Sequence, residues 1–88
     1  MADAGTPIEL GRAVQRARTR LGLTQAEAAK KAGVSRRWLI ELERGHGNAQ
    51  IGKVLAALQA LGLTLEVVPH ELPTGRSELD DIIEGTLR

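Results

Sequence analysis

LTQAEAAKKAGVSRRWLIELERG, residues 23–45, contains the start and stop signals of two short helices. Thr24 and Glu27 are three residues apart just before an alanine-rich run, which is the pattern of a capping box. Gly33 follows that run and predicts a tight turn in the left-handed backbone region, and Ser35 is a suitable N-cap for the next helix. The stretch therefore predicts two consecutive helices, over about residues 25–32 and 35–44.

These two helices form a helix-turn-helix pattern. The small-residue turn at residues 32–34 sets the two helices at a steep angle, and the alanines of the helix over 25–32 permit close contact between them. Leu39 and Leu42 are placed toward the core. The opposite side of the helix over 35–44 then projects as a rod of the size that enters a DNA major groove. That rod presents Ser35, Arg36, Arg37, Ile40 and Glu41.

Helical periodicity continues on both sides of this pair. A first helix is predicted from Pro7 or Ile8 to Leu21, where Gly22 ends it. Its apolar stripe consists of Leu10, Val14, Ala17 and Leu21. A last helix is predicted to begin at Asn48, as N-cap, and to end at Gly62. Its apolar stripe consists of Ile51, Val54, Leu55, Leu58 and Leu61.

GLTLEVVP, residues 62–69, is a stretch with strand periodicity, because Leu63, Leu65 and Val67 alternate with more polar positions. A strand needs a hydrogen-bonding partner, and the rest of the chain offers none. An antiparallel copy of the same strand in a second chain would supply one. Otherwise residues 63–68 lie as coil against their own helices. We predict a mainly α fold of four or five helices with one C-terminal β-strand, 63–68, that pairs across a homodimer.

Charge divides the chain into a basic body and an acidic tail. Residues 12–53 contain ten basic and three acidic side chains, whereas residues 71–88 contain five acidic and two basic ones. The basic body favours a polyanionic ligand. We expect a flexible N-terminus at 1–6, a DNA-binding domain at 7–69 and a tail at 70–88 with a short helix over 77–84.

Composition argues against several other classes of protein. The 88 residues include no cysteine and a single aromatic residue, Trp38. The two histidines, His46 and His70, are isolated, and neither paired carboxylates nor a phosphate-binding glycine loop is evident. We therefore expect no enzyme activity, metal or cofactor, no membrane partner, and a cytoplasmic protein.

The signature TQ…A…GVS…L…LERG resembles the lambda-repressor-like helix-turn-helix of the Xre/Cro family, over about residues 8–62. The appended ALGLTLEVV narrows this resemblance to HipB-like antitoxins. The resemblance implies dimerisation through an intermolecular sheet, in which Leu63, Leu65 and Val67 become buried. It also implies that Gln25 contacts a phosphate, and that Ser35, Arg36, Arg37 and Ile40 read bases.

The side-chain chemistry agrees with these implied roles. Arginine can bond two acceptors of guanine at once, and an apolar side chain can contact a thymine methyl group. Glu41 either accepts from cytosine or holds a neighbouring arginine, and the tandem arginines could instead anchor phosphates. Trp38 either packs against the core or lies along the sugar-phosphate backbone. The full set of expected phosphate contacts is Thr24, Gln25, Trp38, Arg44, Asn48 and Lys53, whereas Arg12, Arg16 and Arg20 of the first helix could be an ordinary solvated face.

The resemblance implies a bacterial, nucleoid-associated antitoxin that represses its own operon at an inverted-repeat operator and binds a HipA-like serine/threonine kinase toxin. Leu79, Ile82 and Ile83 share one face of the predicted tail helix and are the expected toxin contacts. A disordered, solubilising tail is the other reading of this segment. The alternative function is a stand-alone Xre-type regulator, and a third is a protein-interaction module that does not bind DNA.

Overall fold

A computed structural model describes residues 5–69. Four helices occupy most of this part of the chain: α1 Pro7–Arg20, α2 Gln25–Ala32, α3 Arg36–Glu43 and α4 Ile51–Ala60. These bounds confirm the predicted mainly α fold. None of the helices in residues 5–69 is long and apolar enough to cross a lipid bilayer.

Local hydrogen bonds fix the starts of the first three helices. The Thr6 hydroxyl accepts from the Glu9 backbone N–H (3.1 Å) and so caps α1, which begins at Pro7 as predicted. Both bonds of the predicted capping box form at α2, and the Ser35 hydroxyl accepts from the Trp38 backbone N–H (3.0 Å). Gly33 has the predicted positive φ of 74° and lets the chain turn directly from α2 into α3.

A single aliphatic core joins the four helices. Helix α2 packs against both α3 and α4, while α1 packs against α3. Ala28 and Ala29 are 1% and 2% exposed, which confirms that small side chains on α2 allow its neighbours to approach closely. The buried side chains are Val14, Ala17, Ala28, Ala29, Leu39, Leu42, Val54, Ala57, Leu58 and Leu61.

Helices α1 and α3 approach one another at Gly11. A Cβ atom placed there would lie 2.4 Å from the Leu42 carbonyl oxygen and 2.6 Å from that of Glu43. Only glycine fits this crossing without moving a backbone, because ordinary contacts begin at about 3.4 Å. This contact sets the distance between α1 and the helix that carries the predicted base-reading side chains.

The apolar stripes are only partly buried, and one predicted cap is wrong. Leu21, Ile51 and Leu55 of these stripes are 51%, 63% and 44% exposed. Asn48 does not cap α4: the N-cap is Gln50, and its side chain makes no capping hydrogen bond.

Residues 63–69 form neither a helix nor a β-ladder within residues 5–69. The Leu63 N–H donates to the Leu58 carbonyl oxygen (2.7 Å), so the segment leaves directly from the end of α4, and the Leu63 side chain packs partly against the core. Leu65, Val67 and Val68 are 45%, 93% and 59% exposed. The strand and its pairing stay a prediction. The predicted tail, its helix over 77–84 and the contacts Leu79, Ile82 and Ile83 lie outside the described residues.

Candidate nucleic-acid interface

The N-terminal half of α3 presents its polar side chains to solvent. Ser35, Arg36 and Arg37 are exposed, while Ile40 and Glu41 are partly exposed on the same side. The opposite side carries Leu39 and Leu42, which are 1% and 3% exposed. The structure therefore brings the five predicted base-reading residues together on one outward-facing surface.

Arg37 and Glu41 form an ion pair one helical turn apart. The Arg37 Nε donates to Glu41 Oε1 at 3.4 Å, and the two side chains are 90% and 42% exposed. A pair this open to water is worth only about 0.3–0.5 kcal/mol. The Arg37 guanidinium thus stays free to exchange the carboxylate for a nucleic-acid acceptor. The contact is the one expected if Glu41 holds a neighbouring arginine.

A capping box satisfies the N-terminus of α2. The Thr24 N–H donates to Glu27 Oε1 at 2.8 Å, and the Glu27 N–H donates to the Thr24 hydroxyl at 3.1 Å. The backbone and then the side-chain hydrogen bond with Thr24 hold the pKa of Glu27 below its ordinary value, since both favour the carboxylate. Phosphate oxygens only accept hydrogen bonds, so the Thr24 hydroxyl would contact a phosphate as a donor.

A partly buried hydrogen-bond cluster lies directly behind the start of α2. Arg18 donates from Nε to Glu43 Oε2 (2.7 Å) and from Nη2 to Glu43 Oε1 (3.2 Å). Arg18 Nη1 also donates to the Leu23 carbonyl oxygen (2.9 Å). Gln25 Nε2 donates to the same Glu43 Oε1 at 3.3 Å. The cluster connects α1, the loop before α2, the first residue of α2 and the end of α3.

The sequence-based prediction assigned no role to Arg18 or Glu43. A usable signal was present, because Arg18 lies next to Ala17 on the core side of α1 and Glu43 follows Leu42 at the end of α3. A charged residue beside a buried stripe needs a partner, and each side chain here is the partner of the other. Their side chains are only 14% and 5% exposed.

The remaining predicted phosphate contacts lie around the end of α3 and the start of α4. Arg44, Asn48 and Lys53 are exposed. Trp38 is half-buried and packs against the core cluster, and it lines an open groove of about 390 Å³ that extends to Asn48. Trp38 therefore has the packing role that the sequence left open, with part of its ring still accessible.

Further exposed cations lie on α1 and α2. Arg12, Arg16 and Arg20 of α1 and Lys30 and Lys31 of α2 are exposed. The only ion pairs in the described part of the chain are Arg18–Glu43 and Arg37–Glu41. Such an excess of unpaired cations attracts phosphate backbones.

Residues 9–71 match the sequence profile of the family described as "Helix-turn-helix domain". The chain belongs to this family. It is also 43% identical, over 63 residues, to the uncharacterized HTH-type transcriptional regulator y4mF of Sinorhizobium fredii (strain NBRC 101917 / NGR234). The aligned part is 72% of this chain and 83% of that protein.

Solved structures of HipB share the fold. A chain of the HipA–HipB–O2–O3 complex superposes with a TM-score of 0.73 at 25% identity, covering 81% of this chain and 100% of that chain. The HipB(S29A)–O2 20mer complex gives a TM-score of 0.73 at 27% identity, covering 81% and 99%. A toxin–antitoxin module from Streptococcus pneumoniae gives 0.63 at 32% identity, covering 74% and 71%.

The chain is therefore an Xre-like, HipB-type helix-turn-helix transcriptional regulator. This family consists of DNA-binding regulators and antitoxins and not of enzymes. The residues that the sequence placed at the DNA contact lie at the start of α2, along α3, and in and just after the loop that precedes α4.

Proposed function

We propose that the chain is a HipB-like antitoxin that binds an inverted-repeat operator as a homodimer, represses its own operon and neutralises a HipA-like kinase toxin. The observation that carries this proposal is the exposed start of α3, where Arg36 and Arg37 project from a frame superposable on HipB in complexes with DNA and with HipA.

The base contacts are assigned to α3. Arg36 and Arg37 present guanidinium groups that can bond guanine in the major groove, and Ile40 can contact a thymine methyl group. Glu41 sets the position of Arg37, and Ser35 is available as a hydroxyl donor. Phosphate contacts are assigned to two groups of residues. The first is Thr24 and Gln25 at the start of α2. The second consists of side chains from α3, the loop after it and the first turn of α4: Trp38, Arg44, Asn48 and Lys53.

Operator binding is tested with the duplex that the wild-type protein enriches from a random-sequence library. Arg36→Ala and Arg37→Ala are compared with Arg16→Ala, which removes the same charge from an exposed site on α1. Loss of a base contact should lower affinity by about 5- to 150-fold and relax the base preference, since each is worth about 1–3 kcal/mol. Losses equal to that of Arg16→Ala in both α3 variants would exclude α3 as the reader.

Dimerisation is assigned to residues 63–68. Leu65 and Val67 are exposed and apolar, and a second strand would both cover them and satisfy the backbone. Because only alternate N–H groups point toward a neighbouring strand, Leu65→Pro and Glu66→Pro together test both registers. One of them should dissociate the dimer in sedimentation velocity, while Glu66→Ala should not. A dimer that survives both prolines would rule out pairing through this strand.

Toxin binding is assigned to the tail, residues 72–88. The full chain and a version that ends at Glu71 are used as baits in extract of the native cell, and bound proteins are identified by mass spectrometry. The proposal expects a kinase-like protein with the full chain and its loss on truncation. Recovery of the chain's own copy alone would favour the stand-alone Xre-type regulator.

A further inference from the structure

We infer that Glu43 is a positioning residue for DNA binding: it orients the Gln25 side-chain amide at the start of α2 so that the amide donates to a backbone phosphate. This inference rests on the proposed function, and specifically on the assignment of Gln25 to a phosphate. The observation behind it is the 3.3 Å hydrogen bond from Gln25 Nε2 to Glu43 Oε1, between residues 18 positions apart.

The chemistry of the two groups fixes the direction of the amide. An ionised carboxylate only accepts hydrogen bonds, so it selects the NH₂ group of Gln25 and not its carbonyl oxygen. The NH₂ group has two N–H donors, of which Glu43 occupies one. The second N–H remains available for an anion at the α2 N-terminus, where backbone amides and the helix dipole also favour negative charge.

Glu43 can orient the Gln25 amide because its own carboxylate is fixed by Arg18. Arg18 contacts both carboxylate oxygens of Glu43. The Glu43 side chain is 5% exposed and that of Arg18 is 14% exposed. Arg18 also bonds the Leu23 carbonyl oxygen, two residues before Gln25, so the acceptor and the start of α2 share one anchor. The charge of Arg18 offsets that of Glu43, which would otherwise repel a phosphate.

A free glutamine side chain samples many rotamers, and ordering it opposes binding. Tethered to Glu43, Gln25 has lost part of that freedom before DNA arrives. Glu43 would therefore raise DNA affinity through Gln25 without touching the DNA. If Glu43 had only a structural role, its replacement would lower the stability of the fold and would not change the loss of DNA affinity caused by Gln25→Ala.

The test compares two double variants that differ only in the acceptor at position 43. Arg18→Met with Glu43→Gln keeps a side-chain oxygen for Gln25, whereas Arg18→Met with Glu43→Met removes it. Neither leaves an unpaired charge in this partly buried site, and apolar replacements of buried ion pairs are commonly tolerated. Each is made with and without Gln25→Ala in the full chain, and affinity for the library-enriched duplex is measured by fluorescence anisotropy at one salt concentration.

Gln25→Ala should weaken binding at least about tenfold when position 43 is glutamate, the loss typical of one hydrogen bond to a charged group. The loss should be intermediate when position 43 is glutamine, because that amide can also turn its NH₂ group toward Gln25. The loss should be less than about threefold when position 43 is methionine. Equal losses in both backgrounds, or no loss in the wild-type background, would overturn the inference. If the inference fails in this way but Arg36→Ala still weakens binding, DNA binding through α3 remains supported and only the role of Glu43 is rejected. A wild-type protein that shows no preference for the enriched duplex over a scrambled one would overturn both.

A measurement on the unaltered protein covers the case in which a methionine variant fails to fold. The side-chain NH₂ of Gln25 is compared by ¹⁵N relaxation with those of Gln15 and Gln50, which are exposed. The inference expects a rigid amide at Gln25 and mobile amides at the other two. Equal mobility of all three would show that Glu43 does not hold Gln25.

Discussion

Replacing Gly11 by alanine should destabilise the protein, although alanine is the better helix former. The new Cβ would lie 2.4 Å, 2.6 Å and 2.9 Å from backbone atoms of Leu42 and Glu43. Since ordinary contacts begin at about 3.4 Å, α1 and α3 would have to separate by about 1 Å. Backbone atoms cannot rotate away, so we take the upper end of the usual overpacking cost, about 3 kcal/mol.

Helix propensity offsets part of this cost. Alanine is favoured over glycine by about 1 kcal/mol in a helix interior, which leaves a net loss of about 2 kcal/mol. In a domain of this size that loss lowers Tm by about 8–16 °C. The matched control is Gly52→Ala in α4, because a Cβ there meets nothing within 4 Å and the change should stabilise by up to about 1 kcal/mol.

The assay is thermal unfolding followed by circular dichroism at one protein concentration, since the proposed dimerisation would make Tm depend on concentration. The reasoning requires opposite signs for the two glycine variants. It would be refuted if Gly11→Ala melted at or above the wild-type temperature, or shifted Tm in the same direction and amount as Gly52→Ala.

Further predictions concern the core and the α2 cap. Leu39→Ala should lower the free energy of unfolding by about 2–5 kcal/mol, because Leu39 is 1% exposed, whereas Leu21→Ala at 51% exposure should cost well under half as much; urea titration measures both. Thr24→Ala should cost about 1 kcal/mol at pH 7 by removing the N-cap. Because the folded pKa of Glu27 lies below its ordinary value of 4.5, the stability it contributes is present above pH 4.5 and is lost as pH falls through the folded pKa. The difference in free energy of unfolding between wild type and Glu27→Ala should therefore decrease as pH falls from 7 to 3, and a difference that stays constant would contradict the assigned cause.

Much of the candidate interface was predictable because it depends on local signals. The capping box at Thr24, the N-cap at Ser35 and the turn at Gly33 each involve residues within a few positions of one another. Helical periodicity then placed Arg36 and Arg37 outward, opposite the buried leucines of α3. No long-range contact is needed to reach that arrangement.

The start of α4 shows where local signals fail. Asn48 is a good N-cap by residue type, yet the helix begins at Ile51 after an N-cap without a side-chain bond. The helix is placed by burial of Val54 and Leu58 against the core, at 5% and 3% exposure. Such packing outweighs the roughly 1 kcal/mol of one cap.

By itself, the sequence determined the helix-turn-helix and the outward face of α3, since both follow from hydrogen bonds and periodicity within short segments. Only the tertiary structure decided that Glu43 meets both Arg18 and Gln25, across separations of 25 and 18 residues. Only it decided that Gly11 sets the spacing of α1 and α3. The physical reason is that caps and periodicity fix each helix separately, whereas the meeting of two side chains depends on the distance and angle between helices, which the packed core sets.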